Sequence, residues 1–282
     1  MSCNFPVGCQ DKDGISLYRP CGTCIGCRLD YSNDWSVRII HESQLYQEND
    51  FITLTFNKEN LPPDGSVHKK DIELFIKRLR STLYPKTIRY YACGEYGENF
   101  NRPHYHAIIF NHEFSNKIPL FLSGKKLGTR STGSDHSLYR SDELESLWKK
   151  GFSTVGEVTQ QSAAYVARYT CKKIGGQKAK EHYGDKHSEF ALMSRNPGIG
   201  HDWFKKYKTD CFPKDYVTVN GKKYRVPRYY YQLLEKENFV EARAIKMARR
   251  KKSTEKEYEN TIRQYHKEKY RKEVTKTLIR SI

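Results

Sequence analysis

The sequence predicts an α+β fold: a central antiparallel sheet covered by helices, with a cysteine-rich N-terminal element and a charged, helical C-terminal tail. Three observations carry that prediction. Two strand-like runs, Thr87 to Glu95 and Arg102 to Phe110, are joined by a short link bearing Gly97, Asn99 and Asn101, as in a hairpin. A third run, Phe51-Ile-Thr-Leu-Thr-Phe56, is rich in the residue types that strands favour. Segments with helical apolar periodicity separate and follow these runs, giving β-α-β-β and then α-β-α.

Charge narrows the function. The 282 residues carry 50 Lys and Arg against 33 Asp and Glu, a formal +17. Such an excess of one sign is the footprint of a polyanion-binding protein, with nucleic acid ahead of an anionic membrane surface. The 21 tyrosines suit stacking on unpaired bases as well as packing. No apolar run approaches the ~20 residues that cross a bilayer. Met1-Ser-Cys-Asn-Phe-Pro6 lacks both the basic and the apolar region of a secretion signal. A cytoplasmic location is therefore expected, with the 8 cysteines serving as thiols or metal ligands rather than disulfides. The expected division is a metal-binding element at 1–30, a central domain at 31–210, and a hairpin with a basic helical extension at 211–282.

Taking the chain in order, Cys3, Cys9, Cys21, Cys24 and Cys27 crowd the N-terminus, the last three as Cys-x-x-Cys-x-x-Cys. In a reducing compartment that spacing signals a metal site. Cys9, Cys21, Cys24 and Cys27 are the expected quartet for a structural Zn²⁺, with Cys3 as substitute. An iron–sulfur cluster and a set of free thiols are the other two readings. Arg28 to about Glu48 reads as an amphipathic helix, Asp50 to Phe56 as the first strand, and Lys69 to about Tyr84 as a second helix. The outer face of that second helix carries Lys77, Arg78 and Arg80, a solvated face or a phosphate contact.

In the run Arg102 to Phe110, Pro103 stands at the strand entrance, where it costs no ladder hydrogen bond. Alternation along a strand puts His104 and His106 on one face with one residue between them. They are either satisfied polar residues of a sheet or two ligands of one metal ion. The hairpin brings Glu95 near them as a carboxylate to complete the set, and Glu98 in the link is the reserve. The polar stretch from about Lys117 to Arg140 holds Lys125, Lys126 and Arg130, either a loop against a DNA backbone or a plain surface insertion. Ser141 to Lys150 reads as a short helix with a serine cap and an acidic first turn. Gly151 to Val158 reads as a strand. Ser162 to Lys173 then reads as a helix, opened by Thr159 or Ser162. Its Tyr165 and Tyr169 share a face one turn apart, and Arg168 and Lys172 each follow a tyrosine by three places.

Beyond it, Ser194 to Gly200 is loop-like, and Asn220-Gly221 between Val217-Thr-Val219 and Tyr224-Arg-Val226 signals a hairpin. Pro227-Arg-Tyr-Tyr-Tyr231 is a platform for bases or a packing segment. From about Leu234 the chain is highly charged, a solvent-facing helix or a partly disordered tail, densest in charge at Arg249-Arg-Lys-Lys252.

His-hydrophobe-His on a strand, followed by a helix with Tyr-x-x-x-Tyr and lysines, resembles the HUH endonuclease superfamily of rolling-circle initiators, relaxases and transposases. Phe51 to Phe56 is similar to that superfamily's first motif. Cys21-Gly-Thr-Cys-Ile-Gly-Cys-Arg28 and Met193-Ser-Arg-Asn-Pro-Gly-Ile-Gly200 resemble the replication-associated proteins of gokushoviruses, within the Microviridae. Recognisable pieces run from about Cys21 to about Tyr207. The resemblance implies a ferredoxin-like sheet plan, with 31–210 as the HUH endonuclease domain. It implies Mg²⁺ or Mn²⁺ on His104, His106 and Glu95, Tyr165 and Tyr169 as nucleophiles, and Lys172 assisting them. Arg168, Lys173, Lys125, Lys126 and Arg130 would touch DNA. The implied reaction is nicking of a single-stranded viral origin with a 5′-phosphotyrosine link, followed by rejoining. Single-stranded and nicked circular viral DNA, the host replication helicase and the host polymerase would be the partners, in the cytoplasm of a bacterial host. The other readings are a non-catalytic zinc-containing DNA-binding protein and an HUH transposase or relaxase. The histidines precede the tyrosines, which disfavours a relaxase.

Overall fold

A computed structural model of the chain describes residues 3–10, 14, 16–97, 100–122, 125–126, 138–172, 178–254 and 261–279. These fall into two compact units, one made of Met1–Val37 with Phe204–Ile282 and the other of Arg38–Trp203. The chain opens with a small antiparallel pair, β1 (Val7–Gln10) and β2 (Ser16–Arg19), followed by α1 (Ile25–Ser43). Helix α1 stops short of the predicted Glu48. Its end is closed by Asn49, whose amide donates to the Ser43 and Tyr46 carbonyls at 3.1 and 2.9 Å, satisfying groups that a helix end leaves bare.

The second unit is built on β3 (Asn49–Thr55), α2 (Lys69–Leu83), β4 (Arg89–Tyr96) and β5 (Pro103–Phe110). Three short strands follow, β6 (Ile118–Pro119), β7 (Phe121–Leu122) and β8 (Lys125–Lys126), and then β9 (Tyr139–Arg140) and α3 (Asp142–Trp148). Next come β10 (Ser153–Glu157), α4 (Gln160–Lys172), α5 (Lys178–Tyr183) and β11 (Phe190–Met193). The main sheet runs β11-β4-β5-β3-β10-β9-β6, each neighbour antiparallel. The predicted α+β class with a central antiparallel sheet under helices is the one observed.

Alternation along the strands divides the work of the two faces. One face sends Ile52, Leu54, Ala92, Tyr105, Ala107, Ile109 and Val155 into the core, against Ile72, Phe75, Ile76 and Leu79 of α2 and Leu144, Leu147 and Trp148 of α3. The other face carries the histidines, and α4 packs over it at β4, β5 and β11. Capping follows the expected chemistry. Ser141 Oγ accepts the Leu144 N–H ahead of α3. At the head of α4, Thr159 and Ser162 exchange bonds, each hydroxyl accepting the other's backbone N–H.

Strand β11 was not foreseen. Its Phe190 lies opposite Gly94, and a Cβ there would come within 2.8 Å of the Phe190 ring, so the bare backbone lets this edge strand close. The loop after it, Ser194 to Gly200, is held by buried charge. Arg89 pairs with Glu42 and donates to the Pro197 carbonyl at 2.7 Å, while Glu42 accepts the Gly200 N–H at 2.6 Å.

His41, 2% exposed, stacks on Trp203 with ring centroids 3.4 Å apart. Burial depresses its pKa to about 3. A histidine that resists protonation only in the folded chain gives full stability above its unfolded value near 6.5, and loses it as pH falls toward the folded value. By pH 5 the expected loss is about 2 kcal/mol. His41→Phe keeps the stack and should flatten the drop in thermal midpoint between pH 7 and pH 5. An unchanged drop in that variant would remove His41 as its cause.

The chain continues through α6 (His201–Cys211), the hairpin β12 (Tyr216–Val219) and β13 (Lys222–Arg225), and then α7 (Arg228–Glu237), α8 (Phe239–Thr254) and α9 (Thr261–Ile279). Asn220 and Gly221 both take positive φ, 48° and 74°, as the two-residue hairpin requires. The tyrosine run at 229–231 serves packing. Tyr230 is fully buried and stacked on Phe204, and the Tyr231 hydroxyl donates to the Ala242 carbonyl. The charged tail is helical over its described residues. Among the described residues, no helix is long and apolar enough to cross a membrane.

Candidate active site and cysteine cluster

The β4–β5 hairpin sets the site. Its register places Glu95 directly opposite His104, with His106 opposite Cys93 and on the same face. Glu95 Oε1 meets His104 Nε2 at 2.7 Å and His106 Nε2 at 3.0 Å. Two nitrogens and a carboxylate oxygen thus lie within 4.8 Å of one another, with Glu95 and His106 buried and His104 half-buried. The tautomers follow from the outer partners. His104 Nδ1 donates to the Arg102 carbonyl at 3.1 Å, so the neutral ring keeps its lone pair on Nε2, facing Glu95. His106 Nδ1 contacts Thr53 Oγ1 at 2.9 Å, which turns Nε2 inward in the same way. Three acceptor atoms then converge on one point, which a proton or a cation must neutralise. The donor set fits a divalent ion.

The paired tyrosines lie against this cluster. The Tyr165 hydroxyl is 3.5 Å from His106 Nε2, and the Tyr169 ring stacks on the His106 ring at 5.4 Å between centroids. The two phenols meet edge to face at 4.7 Å, and Phe51 touches the edge of Tyr165. Tyr169 is buried and Tyr165 half-buried. Burial first, then the negative charge of Glu95, pushes both hydroxyls well above the ordinary phenol range. Burial also works to raise Glu95, but the bonds to His104 and His106 outweigh it and hold the carboxyl below its usual value.

Glu95, His104, His106, Tyr165 and Tyr169, predicted separately, are therefore brought together. Arg168 is half-buried on α4, and its charge acts weakly against the rise at Tyr165. Glu98, Arg130 and Lys173 lie outside the described residues, as do the side chains of Lys125, Lys126 and Lys172. Thr53 and the Arg102 carbonyl were not predicted. Only the register of β3 against β5, which sets Thr53 opposite His106, reveals the first of them.

In the other unit, Cys3, Cys21, Cys24 and Cys27 bring their sulfurs within 4.8 Å of one another. This corrects the expected quartet. Cys9 is drawn into β1 opposite Leu17, and Cys3, the substitute, takes the fourth place. The Cys21–Cys27 and Cys24–Cys3 sulfurs are each 3.9 Å apart. Backbone N–H groups of Asn4, Cys21 and Cys24 donate to sulfur at 3.2 to 3.3 Å. Burial works to raise the Cys21 thiol, but the N–H bonds to it outweigh that and bring it to about 6, while burial raises Cys3 and Cys27.

Sheet and site together define a class: an α+β protein whose central strand carries a two-histidine, one-carboxylate ligand set under a helix bearing two tyrosines. Residues 49–174, which span all of these, match the family model described as replication-associated protein ORF2. The replication-associated protein VP4 of Bdellovibrio phage phiMH2K is 34% identical over 234 residues, covering 80% of this chain and 70% of that protein. The replication-associated protein ORF2 of Spiroplasma virus 4 is 32% identical over 252 residues, covering 82% and 74%. The replication-associated protein ORF4 of Chlamydia phage 1 is 31% identical over 229 residues, covering 79% and 55%. No solved structure matches the chain. The chain belongs to the family of phage replication-associated proteins.

Proposed function

We propose that this chain is a rolling-circle replication initiator of a bacteriophage, a single-strand DNA endonuclease of the HUH type. The observation that carries the reading is the 3.5 Å approach of the Tyr165 hydroxyl to His106 Nε2 inside the Glu95–His104–His106 set. Those three residues would hold the Mg²⁺ or Mn²⁺ that the superfamily resemblance implies. When bound, such an ion supplies Lewis-acid stabilisation of the charge that develops on the scissile phosphate.

The protein's own groups do the rest. Thr53 and the Arg102 carbonyl keep both imidazole Nε2 atoms pointed inward. Tyr165 Oη bonds to phosphorus as the bond from phosphorus to the 3′ oxygen breaks. The phenol gives up one proton and the departing 3′ oxygen takes one up. The product is a 5′-phosphotyrosine and a free 3′-hydroxyl that the host polymerase can extend. A phenol leaves more readily than a sugar alcohol, which keeps the link reversible for rejoining. Tyr165 is the more accessible phenol and cuts first. Tyr169, buried against His106, serves the second transfer that closes the circle. Lys172 and Arg168, with Lys173, Lys125, Lys126 and Arg130, would neutralise flanking phosphates. The setting is the bacterial cytoplasm, where host helicase and polymerase supply unwinding and copying.

The cysteine quartet is proposed to hold a structural Zn²⁺. Four sulfurs at ~2.3 Å from one tetrahedral ion lie about 3.8 Å apart, close to the observed 3.9 Å edges. An iron–sulfur cluster interposes several metal atoms and spreads its cysteines further.

The test is mass spectrometry of the full chain after incubation with Mn²⁺ and single-stranded DNA from the replicon that encodes it. A nucleotide adduct on the peptide containing Tyr165 is expected. DNA recovered intact, with no adduct on either tyrosine, would refute the endonuclease reading.

A further inference from the structure

Beyond its ligand set, the site face continues across the sheet to an exposed ring that the chemistry above does not use. His104 is opposite Glu95 on one side and Thr55 on the other. The pairing of β3 with β10, Leu54 opposite Ser153, extends one residue further to set Thr55 opposite Phe152. The Phe152 carbonyl accepts both the Thr55 N–H at 2.8 Å and the Thr55 hydroxyl at 3.2 Å. Residues directly opposite across antiparallel strands share a face. Glu95, His104, Thr55 and Phe152 therefore form one row on the side that carries the tyrosines. At about 4.8 Å per strand, Phe152 stands roughly 10 Å from His104.

Phe152 is 73% exposed, whereas Phe51, Phe56 and Phe110 on the neighbouring strands are buried. Helix α4 covers the face at β4, β5 and β11, leaving Thr53, Thr55 and Thr154 half-buried beside the Phe152 ring. The position is fixed from both sides. The Trp148 indole donates to the Thr55 carbonyl at 2.7 Å, and a Cβ on Gly151 would lie 2.3 Å from the Asn57 nitrogen, so only glycine lets the backbone pass there. A sheet that buries its other phenylalanines holds this one out, in line with the ligand set.

We propose that Phe152 is a stacking platform for an unpaired base of the DNA strand, on a nucleotide flanking the phosphate that meets the histidine cluster. The proposal rests on the reading of that cluster as a DNA site. An aromatic face accepts any base, so Phe152 contributes affinity and placement rather than sequence choice. It also selects for single strands, because a duplex keeps its base faces stacked on one another.

The experiment measures binding of the full chain, in EDTA so that no cleavage occurs, to three labelled 20-nucleotide probes. These are a mixed-sequence single strand, the same strand annealed to its complement, and a base-free strand of equal length. Phe152→Ala should weaken single-strand binding about tenfold, the range that aromatic-to-alanine changes give per stacked base. It should leave the duplex and the base-free strand unaffected. Phe152→Trp should restore single-strand binding, and Phe152→Leu should not. Thermal melts of each variant should superpose on the parent, since an exposed ring adds little to stability. Equal single-strand affinity for the parent and Phe152→Ala would overturn the proposal. So would rescue by leucine, or an equal loss on the base-free strand. Absence of a tyrosine adduct with this pattern intact would sink the endonuclease reading and leave the stacking platform standing.

Discussion

Tyr165→Phe is expected to lower single-strand cleavage by at least about 10³-fold and to abolish the covalent adduct, while leaving DNA binding and thermal midpoint at parental values. The change deletes one oxygen. It removes the 3.5 Å contact with His106 Nε2 but keeps the ring edge that meets Phe51 and Tyr169. Tyr169→Phe also keeps its stack on His106 and should spare the first cleavage to within about tenfold. The deficit should appear in strand rejoining, where a second phenol is needed. The two phenols differ in access. Both are pushed upward by burial and by Glu95, and neutralising Glu95 with a bound cation would relieve only the second of those causes. Chelation should therefore silence the parent as fully as Tyr165→Phe does. Gel assays with a labelled strand measure all of these outcomes. Undiminished cleavage by Tyr165→Phe, with the adduct on Tyr169, would reverse the order of the nucleophiles. Cleavage without any adduct in the double variant would make water the attacking group.

The parts of this site that were legible in the sequence are those set by local periodicity. Strand alternation alone puts His104 and His106 on one face, and a short hairpin link alone brings Glu95 beside them. Helical spacing alone puts Tyr165 and Tyr169 one turn apart. Whatever depends on register between distant segments was not legible. Thr53 could be chosen over Thr55 as the partner of His106 only once β3 and β5 were aligned. Strand β11 escaped because its side chains are half-buried and its place depends on a gap at Gly94, far off in the chain. The tyrosine run at 229–231 suits bases and packing equally by composition. Burial of Tyr230 against Phe204 decides it. The cysteines show the same limit. Spacing proposed the cluster, but spacing could not tell that a strand would claim Cys9.

The cysteine cluster carries the second large effect. Purified chain should hold one Zn²⁺ per molecule by elemental analysis, and Cys24→Ser should lose it. Structural zinc in small metal-dependent folds contributes on the order of 10 kcal/mol, and here few other interactions hold the N-terminal segment. Cys24 is buried and accepts the Asn4 N–H at 3.3 Å. The Asn4 side chain in turn accepts from Arg271 on α9. Loss of the ion should thus free both the segment around Cys3 and the α9 helix in the same unit. Hydrogen exchange should speed up at residues 3–10 and 261–279 in Cys24→Ser or after strong chelation. The strands that carry His104 and His106 should keep their protection, because their core is built from α2, α3 and the sheet itself. Cys9→Ser, outside the quartet, should retain both metal and protection. A metal-free chain with slow exchange at residues 3–10 would mean that the four sulfurs are held by packing alone. Brown, sulfide-containing protein with several irons per chain would replace zinc by a cluster, and the 3.9 Å sulfur spacing argues against that outcome.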